Sequence, residues 1–114
     1  MTPAGFRKLA LSLAGATEGA HGGHADFRAG GRVFATLGYP DAHWGMVKLA
    51  PEQQEMLVAA EPEMFAPIKG AWGLRGATGV RLAATDARTL QSALTLAWQT
   101  ATAPKQKKVR RRAA

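Results

Sequence analysis

A chain of 114 residues, 46% of them apolar, fits one domain with a hydrophobic core of its own. The absence of cysteine excludes disulfides, thiol nucleophiles and cysteine-ligated zinc sites. The net charge of +7 is concentrated in residues 105–112, which hold six cations and no acid; the rest has nine basic against eight acidic residues, so its charge is no argument for nucleic acid.

Basic residues follow Met1, but the apolar stretch Leu9–Ala16 is short, contains Ser12 and has helical spacing, unlike a leader peptide. No apolar run approaches the roughly 18 residues of a spanning helix. These features predict a cytoplasmic protein with no membrane partner.

The first helix is marked by Thr2 as cap and Pro3 at the first helical position. Phe6, Leu9, Ala10 and Leu13 recur on one helical face, and Gly15 supplies a stop. Residues 18–24 are glycine-rich and read as a loop. Two β-type runs, 25–29 and 32–37, flank Gly30-Gly31, a pair suited to a tight hairpin. Residues 44–49 read as a third strand.

The second helix begins at Pro51, with a stripe of Met56, Leu57 and Ala60, and ends at Pro62. Residues 63–70 read as loop. Two short β candidates follow, 71–74 and 79–83, with a turn over 76–79. The last helix is capped by Thr85 or Asp86 and places Leu90, Ala93, Leu94, Ala97 and Trp98 on one face; Pro104 closes it.

The order is therefore α-β-β-β-α-β-β-α. Short connections force antiparallel pairing, and three striped helices must cover one face. The expectation is an α+β two-layer sandwich of about five strands over 1–104, with a disordered basic tail at 105–114.

Several candidate sites follow from residue types. His21 and His24 are two nitrogen ligands in a glycine-rich stretch, fewer than a zinc site needs, and a solvated loop is the plainer reading. Ser12 and Ser92, the only serines, lie in helices rather than on the sharp turn that exposes a nucleophile. Residues 70–79 lack the Gly-Lys-Ser/Thr ending of a phosphate loop. No enzyme, cofactor or metal is expected.

The basic residues on or beside strands are Arg28, Arg32, Lys48, Arg75 and Arg81. Arg28 and Arg32 flank the glycine turn and are expected near each other. Trp44 and Trp72 are candidates for stacking on bases, the alternative being a core or rim role. Trp98, on an apolar helical face, reads as core. The basic run Lys105, Lys107, Lys108, Arg110, Arg111 and Arg112 is a polyanion-binding signature or a solvated terminus.

The stretches Leu13–Glu18, Phe27–Leu37 and Val47–Leu49, with Met64–Pro67 and the 76–82 segment, resemble the MmcQ/YjbR-like family of small bacterial proteins over roughly residues 2–105. Ala14 stands where that family usually has proline, Arg32 where it has lysine, and Ala77 where a tryptophan commonly follows glycine. The resemblance implies a fold similar to bacterial frataxin and the family's usual label, a DNA-binding protein. It does not imply frataxin-type iron binding here, because the first helix carries Arg7 and Lys8 and no acid.

The resulting expectation is weak, sequence-independent binding of DNA or RNA, assisted by the tail, by a monomer or weak dimer. A protein-interaction module and a small-molecule or metal binder using His21 and His24 are the alternatives.

Overall fold

The structure, a computed structural model, describes residues 1–39 and 41–104; the His21 side chain also lies outside the description. Helix α1 spans Pro3–Leu11. The Thr2 hydroxyl accepts from the Gly5 N–H at 3.0 Å, and Pro3 sits where a missing donor costs nothing. Phe6 and Ala10 are fully buried on its inner face.

Four strands follow in meander order: β1 (Thr17–His21), β2 (His24–Ala29), β3 (Arg32–Leu37) and β4 (Trp44–Lys48). Helix α2 (Pro51–Ala60) leads to the short edge strand β5 (Phe65–Pro67). The one-turn helix α3 (Ala71–Leu74), strand β6 (Ala77–Arg81), a 3-10 turn and helix α4 (Ala87–Thr102) complete the chain. The sheet is antiparallel throughout, in the order β1-β2-β3-β4-β6-β5.

The core lies between this sheet and the layer of α1 and α4. Phe6 meets Phe27 at 6.0 Å between ring centroids, and Leu90, Ala93, Leu94 and Ala97 of α4 are fully buried. Each such large side chain contributes about 1.5–3 kcal/mol on burial. Gly45 keeps the layers close, since a Cβ there would stand 2.6 Å from the Phe6 ring. Trp98 donates its indole N–H to the Ala14 carbonyl at 2.8 Å and ties α4 to the α1–β1 connection, the structural role read for it.

The expected α+β sandwich is present, with corrections. The 18–24 stretch is not a loop but β1 and the start of β2, joined at Gly22-Gly23, both at positive φ. Residues 71–74 form a helix rather than a strand, because Gly70 (φ +84°) turns the chain and Gly73 lets it pass against the Ile68 carbonyl. The 63–70 segment holds β5, so the strands number six. The turn expected over 76–79 is Gly76 alone, and β6 starts at Ala77 rather than Gly79.

Helix α2 does not carry the expected stripe. It has no fully buried residue, and Met56 is 57% exposed. Leu57 and Val58 reach the core partly, and Gln54 Nε2 donates to the Gly73 and Ala77 carbonyls at 3.0 Å each. The helix is held as much by that side-chain clamp as by apolar packing. Ser12, expected within α1, is its C-cap.

Candidate nucleic-acid interface

Alternation along the strands divides their side chains between two faces. Phe27, Ala35 and Val47 stand in register across β2, β3 and β4 and point toward α1 and α4. Asp26, Thr36 and Met46 form the adjacent row and point away from them. This second, open face carries the candidate site. A bulge in β3 sets Phe34 beside Ala35 in the core and returns Val33 to the open face.

Register separates the hairpin arginines. Ala29 pairs with Arg32, and Arg28 with Val33. Ala29 is buried toward the helices, so Arg32 projects on their side, while Arg28 lies on the open face. The expectation that Arg28 and Arg32 act at one place is corrected on this ground: neighbours along a strand alternate in direction. Arg28 is engaged besides. Its Nε and Nη2 donate to the two oxygens of Asp26 at 2.9 and 3.1 Å. The hydrogen bonding, then the charge of this buried carboxylate, raise the Arg28 pKa above its ordinary value.

The other basic candidates share the open face, Lys48 and Arg81 at opposite ends of the β4–β6 pairing. Lys48 pairs with Ala77 across β4 and β6, and Arg81 with Trp44. Arg81 lies over the Trp44 ring, 4.6 Å from its centroid, and also donates to the Glu63 carbonyl. Trp44 in turn covers Gly79, where a Cβ would stand 3.1 Å from the indole. Both residues thus serve the sheet as well as presenting a flat polar surface.

Trp72 is different. It projects from α3 with 57% of its surface exposed. Together with Arg75, the C-cap of α3, it forms one wall of a cavity of about 420 Å³ over the open face. Met46, Lys48 and Ala77 belong to the sheet side of that cavity, and His24 and Tyr39 close the opposite wall with their rings edge to face at 6.1 Å. A smaller hollow beside it is lined by Trp44, with Tyr39 and Ile68 shared between the two. Trp44 and Trp72 therefore flank one continuous concave surface.

The cavity lining holds cations and no acid. The strands contain two acids. Glu18 stands beside Phe27 on the helix side and binds Arg7 of α1 at 2.9 Å, and Asp26 is buried beneath Arg28. Lys48 and Arg75 have no ion-pair partner among the described residues. Tyr39, Met46 and Ile68 were missed by sequence reasoning, and His24 was named only as a partner of His21. Only the sheet register and the helical course of 71–74 bring them to the cavity, and neither is visible in local pattern.

Among the described residues no three His, Cys, Asp or Glu side chains come together as a metal site. The His21–His24 metal site expected as an alternative lies partly outside the described residues, because of the His21 side chain. The tail residues Lys105, Lys107, Lys108, Arg110, Arg111 and Arg112 fall outside them as well. No helix of the described residues is long and apolar enough to cross a membrane.

No curated protein matches the chain. The solved structure of Deinococcus radiodurans protein DR2400, a DUF419 domain, is similar in fold, with a TM-score of 0.75 at 21% identity over 94% of this chain and 83% of that one. A family model described as YjbR matches residues 11–100, from the end of α1 to the last turns of α4. The chain belongs to the YjbR family.

Proposed function

We propose that this protein binds single-stranded DNA or RNA weakly and without sequence preference, using the open face of its sheet with the 105–114 segment as electrostatic partner. The supporting observation is the joint presence on that face of two tryptophans and of Lys48, Arg75 and Arg81, with Glu18 on the helix side and Asp26 buried and ion-paired by Arg28. Strand binding of this kind pairs a cationic track with aromatic platforms, and it is tolerant of sequence because every base offers a π-face. The four-residue helix α3 on this face is too short to read a duplex groove.

Trp72 is the platform best separated from folding. Replacing it with alanine should weaken oligo-dT binding about tenfold, from about 1–3 kcal/mol per stacked base. Fluorescence anisotropy of a labelled oligonucleotide reads the change, and thermal unfolding should show no loss of stability. Unchanged affinity of Trp72→Ala would remove the open face from the interaction.

Protein docking is the second reading. Leu74, beside Trp72, is 82% exposed, which suits an apolar partner. Binding to one protein that is insensitive to salt, with no affinity for oligo-dT, favours it over the first.

A further inference from the structure

The cavity on the open face has a feature that strand binding does not require. Four polar or charged side chains are buried among the described residues: Asp26, Thr36, Thr78 and Thr85. Arg28 holds Asp26, the Thr78 hydroxyl donates to the Gly76 carbonyl at 2.9 Å, and the Thr85 hydroxyl to the Arg81 carbonyl at 2.8 Å. Thr36, only 7% exposed, lines the cavity, and its hydroxyl makes no hydrogen bond among the described residues. A buried hydroxyl without a partner is costly, and nearly all such groups in folded proteins are satisfied by protein, water or ligand.

The rest of the cavity defines what would satisfy it. Its volume, about 420 Å³, lies in the range of small-molecule sites. Trp72 and Tyr39 offer aromatic surfaces, and the Ala77 methyl leaves the floor open. Lys48 and Arg75 stand at the cavity with no carboxylate lining it. A flat ring suits the aromatic walls, an anionic substituent suits the cations, and a ring amino or carbonyl group suits the Thr36 hydroxyl, which both donates and accepts.

We propose that this cavity is a binding site for one planar heteroaromatic anion of nucleoside-monophosphate size. The proposal stands on the cavity and Thr36, independently of Trp44 and the tail. Two sources share this chemistry, a free mononucleotide and a terminal nucleotide of a strand.

The test is a calorimetric titration of the full chain with adenosine monophosphate, adenosine, ribose 5-phosphate and a hexanucleotide with a terminal phosphate. Adenosine monophosphate should bind, with adenosine and ribose 5-phosphate each at least about tenfold weaker, since each lacks one recognised part. Thr36→Val should weaken the nucleotide about three- to tenfold, the worth of one neutral hydrogen bond. The unliganded Thr36→Val protein should melt at the same temperature or higher, because no internal hydrogen bond is lost. Ala77→Leu, which fills the floor, should abolish nucleotide binding while oligo-dT still binds the outer surface.

No binding of adenosine monophosphate at millimolar concentration overturns the proposal. So does equal binding of ribose 5-phosphate, which marks simple charge attraction, or a lowered melting temperature for Thr36→Val. If Ala77→Leu does not fold, the Thr36→Val result decides. The hexanucleotide separates the two readings. Binding of the hexanucleotide without the mononucleotide sinks this proposal and spares strand binding; the reverse upholds the cavity and sinks strand binding.

Discussion

At the scale of single residues, the surroundings of each side chain decide its behaviour more than its type does. Asp86 caps α4, accepting from the Thr89 N–H at 2.8 Å and from the Thr89 hydroxyl at 3.1 Å. The backbone hydrogen bond chiefly, and the hydroxyl next, hold its pKa below the ordinary 3.8. A carboxylate depressed in this way stabilises the fold above its unfolded pKa, and the gain is lost as pH falls through the folded value. Asp86→Ala should therefore melt lower than the native chain at pH 7, and the gap should shrink as pH drops below 3.8; a gap independent of pH would show that the carboxylate charge does not matter. Gly76 is constrained by geometry instead. It has φ of +112°, and a Cβ there would stand 1.8 Å from the Leu49 carbonyl. Gly76→Ala should cost about 1–3 kcal/mol from backbone strain alone, read by denaturant unfolding, with the clash adding to it.

Whole elements show where local pattern suffices and where it does not. Helix α1, helix α4 and the Gly30-Gly31 hairpin were legible, because caps, a 3.6-residue period and a glycine turn are local signals. Strand β1 was hidden. Its residues, Thr-Glu-Gly-Ala-His, have poor strand propensity, and β2 supplies their pairing. Gly19 has a packing reason as well, since a Cβ there would press on the Asp26 carboxylate at 3.0 Å. The Ala-Trp-Gly-Leu segment suits strand and helix equally; its helical turn follows the positive φ of Gly70 and the close backbone passage of Gly73 against Ile68, and the distant contact of Gly76 with Leu49 ends it. That ambiguity reached the candidate site: Trp72 and Arg75 were named, but their meeting with Lys48, Tyr39 and His24 depends on α3. The legible helix also carries the heaviest core load. Leu94→Ala in α4 should destabilise by about 2–5 kcal/mol in denaturant unfolding, whereas Met56→Ala on exposed α2 should stay within about 0.5 kcal/mol.

Over the whole molecule, charge is divided between a nearly neutral body and a basic C-terminal segment. In the proposed binding the body supplies the stacking surface, and residues 105–112 hold six of the fifteen basic residues within eight positions. The sequence places the end of the fold at Pro104, so removing 105–114 should leave the stability of the body unchanged. The two parts separate in their dependence on salt. Six charges all meeting phosphates would give a slope of log affinity against log salt of roughly −4 on a single strand, at about −0.7 each. Engagement of three or four of them brings it to about −2 to −3 on the same rule. The most direct measurement is the affinity of oligo-dT across a salt series for three proteins: the full chain, residues 1–104, and full-length Trp72→Ala. The slope should be steep for the full chain and clearly shallower, no steeper than about −2 from Lys48, Arg75 and Arg81, for 1–104. Trp72→Ala should keep the full-chain slope at an affinity about tenfold lower throughout. Equal slopes with and without the tail, together with native affinity in Trp72→Ala, would contradict the proposed binding.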